Sequence, residues 1–158
     1  MFREVARTKQ ALGKDECIEI LKTAKRGVVS VNGDDGYPYG MPINHWYNEE
    51  NGRLYFHSGK TGHRTDAMLA DDRASFCVMD EGVQNPGEWW LTFRSVIVFG
   101  RLKIVEDHDR ALAISRKLSY KFTSDEQYIA DEIEKSGAGV LCFELIPEHV
   151  TGKRVKEK

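Results

Sequence analysis

No stretch of this chain approaches the run of roughly 18 apolar residues that a membrane helix needs. Apolar residues make up 41% of the 158, but charged residues, at 30%, interrupt them throughout. The opening segment, MFREVARTKQALGKDE, lacks the apolar core of a signal peptide, so the expected compartment is the cytoplasm. Cysteine is scarce. Cys17, Cys77 and Cys142 stand far apart without a C-x-x-C pair, which argues against a disulfide framework and predicts buried, inert thiols. The five histidines show no H-E-x-x-H spacing, so no zinc site is expected. Charge of one sign is missing too: the formal net charge is -2. The basic tail of Lys153, Arg154, Lys156 and Lys158 is too short to be a nucleic-acid footprint. Neither a G-x-x-x-x-G-K-[ST] loop nor a G-x-G-x-x-G turn is present. No Ser-His-Asp set or carboxylate pair is recognisable. The length suits one domain, residues 1–158, with a sizeable core.

What is present centres on Leu54–Leu69, read L-Y-F-H-S-G-K-T-G-H-R-T-D-A-M-L. Leu54 to His57 has the aromatic content of a strand. Ser58-Gly59-Lys60-Thr61-Gly62 breaks it, and a helix follows with Ala67, Met68 and Leu69 on its inward face. Hydroxyls, glycines and the cations Lys60 and Arg64 thus converge where a strand hands over to a helix N-terminus, whose free N–H groups and positive end suit a phosphate. A plain polar connection fits the same residues.

The other elements follow in order. Asp15 reads as the N-cap of a helix over Glu16–Lys25, with Cys17, Leu21 and Ala24 buried and Gly27 as the stop. Gly27–Val31 reads as a strand, followed by the hairpin turn Asn32–Gly36. The strand Tyr37–Tyr47 places Met41, Ile43, His45 and Tyr47 on one face and Gly40, Pro42, Asn44 and Trp46 on the other. Gly40 and Pro42 mark an edge or irregular position, where a flat ring or nothing at all lies against the backbone. Ala74–Met79 and Trp89–Ile104 read as strands. In the second, Arg94, Val96, Val98 and Gly100 share one face and Ser95, Ile97 and Phe99 the other. Ala111, Ile114 and Leu118 define a helix begun by Asp107 or Asp109. Ser124–Gln127 forms a capping box for the next helix, with Ile129 and Ile133 inward, and Val140–Ile146 is a last strand stopped by Pro147. The fold class expected is mainly β (α+β): a barrel of about six antiparallel strands with peripheral helices.

This ordered set resembles the pyridoxamine 5′-phosphate oxidase-like superfamily of FMN-binding split β-barrels, and within it the 5-nitroimidazole-resistance branch. The resemblance is carried by Gly36-Tyr37-Pro38-Tyr39-Gly40-Met41-Pro42-Ile43-Asn44, Leu54-Tyr55-Phe56-His57-Ser58, Gly62-His63-Arg64, Arg94-Ser95-Val96 with Gly100, and Glu144-Leu145-Ile146 with Val150-Thr151-Gly152-Lys153. It runs from about Cys17 to Lys153. It implies a homodimer with FMN at the subunit interface. Tyr39, Met41, Pro42, Ile43 and Asn44 would lie along the isoalloxazine ring. His57, Ser58, Lys60, Gly62, His63 and Arg64 would surround the phosphate and ribityl chain. Arg94 and Ser95 would contact FMN from the partner subunit, and Trp89 and Trp90 would wall the pocket or pack as core or dimer contacts.

The chain departs from the oxidases that act on pyridoxamine phosphate. It has no counterpart to their arginine-containing terminal segment, and His63 stands where two cations often occur together. The resemblance therefore implies a flavin-dependent reductase, passing electrons from NAD(P)H to a small aromatic or nitro compound, with His57 the histidine to test for proton transfer. Two rivals share the fold: a flavin- or haem-binding protein with a storage, sensing or stress role, and a deazaflavin-dependent reductase.

Overall fold

The computed structural model describes residues 1–158. Helix α1 spans Lys14–Thr23 and begins one residue before Asp15, which therefore lies in the first turn rather than at the cap. Its acidic first turn, Asp15 and Glu16, favours the positive helix end, and Cys17, Ile20 and Leu21 are buried. Strand β1, Arg26–Asn32, pairs along its whole length with β2, Pro38–Asn44, from Arg26 opposite Asn44 to Asn32 opposite Pro38.

The single strand expected over Tyr37–Tyr47 is two strands, which is why the sheet has seven strands and not six. β2 ends at Asn44, and β3, Trp46–Asn48, pairs with β4, Arg53–Gly59, at the opposite end of the sheet. His45 makes the break. It is fully buried, and its Nε2 lies 2.7 Å from the Leu21 carbonyl at the end of α1, so the chain leaves β1 there and crosses over.

The remaining elements are α2 (His63–Ala70), β5 (Arg73–Met79), β6 (Thr92–Ile104), α3 (His108–Ser119), α4 (Glu126–Ser136) and β7 (Val140–Lys156). In α2, Thr65, Ala67 and Met68 are buried, while Leu69, expected to face inward, is exposed. Asp107 caps α3 by accepting the Arg110 N–H, and Asp125 rather than Ser124 caps α4 by accepting the Tyr128 N–H. Trp89 and Trp90 precede β6, packed edge-to-face at 5.6 Å, with the Lys158 amine over the Trp90 ring.

Pro147 does not stop the last strand. β7 runs on beside β6 because a bulge between Phe99 and Gly100 absorbs one residue, Glu148, so that Gly100 faces Pro147 and Phe99 faces His149. A bulge tolerates a proline that cannot donate to the ladder. Gly100 is obligatory there, since a Cβ would overlap the Ile146 carbonyl oxygen.

The strand order is β2-β1-β5-β6-β7-β4-β3, all pairings antiparallel. The result is a mainly antiparallel half-barrel with four α-helices. Its interior is filled by Val29, Val31, Met41, Ile43, Phe56, Phe76, Val96, Val98 and Phe143, among others. A smaller cluster packs α3 onto Tyr55, Val105 and Cys142. Each fully buried large apolar side chain contributes about 1.5–3 kcal/mol. No helix is long and apolar enough to cross a membrane. All three thiols are free; Cys17 and Cys142 are buried, while Cys77, expected to be buried, is half-buried on the outer face. Desolvation raises the pKa of each; Glu16 adds to the effect at Cys17, while Ser115 opposes it at Cys142.

Candidate functional site

The two ends of the sheet leave a seam. β2 has no partner on the side away from β1, and β4 beyond Tyr55 has none on the side away from β7. Between these free edges lies a cleft of 510 Å³ lined by Arg26, Pro42, Ile43, Asn44, His57, Ser58, Gly59 and Arg64. That size falls within the range of roughly 300–1,000 Å³ usual for small-molecule and cofactor sites. Of the residues expected at the site, Pro42, Ile43, Asn44, His57, Ser58 and Arg64 come together here.

The hairpin fixes what β2 offers. The Gly33 N–H donates to the Tyr37 carbonyl at 2.8 Å, which sets the phase of the antiparallel ladder. Gly27 and Ile43 are then a hydrogen-bonded pair, whereas Arg26 and Asn44 are not, and the backbone groups of Gly40, Pro42 and Asn44 turn to the free edge. Met41 and Ile43 send their side chains into the core and their backbone N–H and C=O groups to β1, so the polar groups β2 offers a ligand are those of its even-numbered residues.

The cleft is positive. Arg26 and Arg64 have no carboxylate within ion-pairing distance, although the chain holds thirteen such pairs elsewhere. His57, exposed at the cleft, has its pKa lowered, first by desolvation from the atoms crowded around its ring and then by the charge of Arg64, which favours the neutral form. Ser58 is buried. Its Oγ lies 3.0 Å from Thr65 Oγ1, and Thr65 donates to the Gly59 carbonyl at 2.7 Å, so the first turn of α2 is bolted to the end of β4. Gly62, at the N-cap with φ of 114°, has no side chain to cap the helix, which leaves first-turn N–H groups free.

Other expected residues lie elsewhere. His63 stacks on Tyr39, with ring centroids 4.1 Å apart, and its Nε2 is 3.7 Å from Asp34. Lys60 is exposed on the loop and does not line the cleft. Arg94 is held by Asp80 at 2.8 Å and Glu19 at 3.2 Å, and Ser95 lies on the outer face between Met79 and Lys153. The chain's own cleft receives neither.

Sequence reading missed Arg26 and Thr65. The signal for Arg26 was the hairpin register, countable outward from the Asn32–Gly36 turn, which puts it opposite Asn44. Thr65 carried no such signal, because its role depends on where α2 docks.

The fold and the cleft define an antiparallel half-barrel with an anion-receptive seam. The family model for pyridoxamine 5′-phosphate oxidase matches residues 13–154, and the chain belongs to that family. No curated protein matches it. Among solved structures, it is similar to a candidate 5-nitroimidazole antibiotic resistance protein from Bacteroides thetaiotaomicron, with 18% identity, 92% of this chain and 87% of that one covered, and a TM-score of 0.78. An FAD-binding protein from Mesorhizobium loti gives 23% identity over 92% and 97% of the two chains, TM-score 0.65. An FAD- and haem-binding protein from Mycobacterium smegmatis gives 19% over 95% and 74%, TM-score 0.73.

Proposed function

We propose that this protein binds FMN in the seam cleft and acts as a flavin-dependent oxidoreductase, reducing a small aromatic or nitro compound with electrons from NAD(P)H. The observation that carries the reading is the pair of unpartnered arginines, Arg26 and Arg64, beside Ser58 and the open first turn of α2. A phosphate monoester fits that donor set: two guanidinium groups and the free N–H groups of the α2 first turn, with no carboxylate in the lining. Membership of the family and the FAD-binding names of the M. loti and M. smegmatis proteins support a flavin as the ligand.

Bound flavin supplies the hydride and electron transfer. The chain's own residues bind and orient it. Arg26 and Arg64 would hold the phosphate, and the free edge of β2 at Pro42 and Asn44 would lie along the ring. Neutral His57, which lines the same cleft, is able to donate one hydrogen bond and accept another. Its role in proton transfer is part of the proposal.

The reading includes a homodimer. Val28, Met79, Ile97 and Phe99 are exposed on the outer face. Val28, Cys77 and Ile97 sit side by side in register, in a row that begins at Pro42 and ends at Thr151. An apolar stripe of this kind suits a second copy of the chain, whose edge would then reach the cleft rim.

The test is a visible absorption spectrum of freshly purified protein, with mass spectrometry of what heat releases. FMN, FAD, a deazaflavin and haem are told apart by mass. Released or rebound FMN, reduced by NAD(P)H and reoxidised by a nitroaromatic acceptor, is the expected result. A colourless protein that takes up no added FMN sinks the reading.

A further inference from the structure

Lys121 belongs to the connection between α3 and α4, far from the cleft in sequence. Its ammonium is part-buried and donates to two backbone carbonyls, Ala24 at 2.6 Å and His45 at 2.6 Å. No carboxylate pairs with it, and burial lowers its pKa to about 8, which leaves it a cation at neutral pH. The two carbonyls lie in different connections. Ala24 closes α1 two residues before Arg26, and His45 directly follows Asn44.

Arg26 and Asn44 form the terminal pair of the β1–β2 ladder, and both line the cleft. The phase of that ladder leaves them without mutual hydrogen bonds; the last bonded pair is Gly27 with Ile43. Ladder ends fray when nothing beyond them is fixed. Here something is. The chain just outside each strand end is tied to one ammonium, with charge-assisted bonds that are stronger than neutral ones. His45 adds a second tie through its ring to the Leu21 carbonyl at 2.7 Å.

We infer that Lys121 is a positioning residue for the cleft: by bridging the Ala24 and His45 carbonyls, it holds Arg26 and Asn44 side by side as one wall of the seam. Its effect on flavin rests on the function proposed above, whereas the bridge itself does not. The helical hairpin of α3 and α4 thereby acts on a site to which it contributes no lining residue.

The experiment compares wild type, K121M and K121R by two measurements. Amide hydrogen exchange in the flavin-free protein reads the bridge, at Gly27 and Ile43. FMN titration by fluorescence quenching reads its consequence. In K121M, exchange at Gly27 and Ile43 rises about tenfold while the β6–β7 ladder keeps wild-type rates, and FMN binding weakens about tenfold. K121R keeps the cation and the donors, and returns both readings to within about threefold of wild type. Wild-type exchange in K121M overturns the proposal. So does acceleration spread evenly over the sheet, an unfolded K121M, or a loss that K121R does not rescue. If the wild type binds no FMN, the flavin reading fails, and exchange at Gly27 and Ile43 still decides whether Lys121 holds the ladder end.

Discussion

The Ser58 hydroxyl lies 3.0 Å from Thr65 Oγ1, and Thr65 spends its own proton on the Gly59 carbonyl, 2.7 Å away. Ser58 is therefore the donor between them. Two hydrogen bonds in series join the end of β4 to the first turn of α2, and with it fix the place of Arg64. Replacing Thr65 by valine keeps the shape and removes both bonds. The expected cost is about 1–2 kcal/mol in urea unfolding, with weaker FMN binding. Ser58→Ala removes one bond and costs less. Wild-type stability in Thr65→Val would show that the bolt contributes nothing.

Arg26→Ala and Arg64→Ala each remove a cation that has no internal partner, so neither change leaves a stranded carboxylate behind. Each is expected to weaken FMN binding about ten- to hundredfold, the value of a charge-assisted bond. The same variants should bind riboflavin, which lacks the phosphate, as wild type does. Equal losses for FMN and riboflavin would move the phosphate away from these arginines.

Gly100 admits no side chain, because a Cβ there would overlap the Ile146 carbonyl and crowd Pro147. Gly100→Ala must open the β6–β7 bulge or shift the register beyond it. A destabilisation of about 2 kcal/mol or more is expected, read as a lowered denaturant midpoint. Gly36→Ala makes a useful comparison: nothing lies near its Cβ, and its cost comes from the left-handed backbone alone.

His45 gives the fold a pH dependence of known sign. Burial, aided by the charge of Lys121 and opposed by the hydrogen bond to Leu21, lowers its pKa from 6.5 to about 4. Between these values the unfolded chain takes the proton and the folded chain does not. The stability contributed by the neutral ring is therefore whole above about pH 6.5 and is lost as pH falls toward about 4. The loss amounts to about 2 kcal/mol between pH 7 and pH 5. His45→Gln, which can still donate to Leu21, should flatten that slope in urea titrations; an unchanged slope would assign the effect to other groups.

The strands and the helical hairpin were legible in the sequence because each rests on a local period. Alternation marked Ala74–Met79, and helical spacing marked Ala111, Ile114 and Leu118. What was not legible rests on distant partners. The break at His45 depends on the Leu21 carbonyl, and the passage of β7 through Pro147 depends on a bulge opposite Gly100. Six of the eight lining residues, Pro42, Ile43, Asn44, His57, Ser58 and Arg64, were readable from strand chemistry, the strand-to-helix handover and the family resemblance. Arg26 was not, because its neighbour in space is eighteen positions away and only the hairpin register brings the two together.

The proline of β2 also bears on self-association. A half-barrel with open edges offers rows of unpaired backbone groups to any passing strand, the usual route to edge-to-edge aggregation. On β2 that row is blunted: Pro38 and Pro42 share the parity that faces the seam, and neither has an N–H to give. Arg26 and Arg64 add repulsion against a second, identical edge. The residues that would hold a small anion in the seam thus also keep another strand from pairing along that edge.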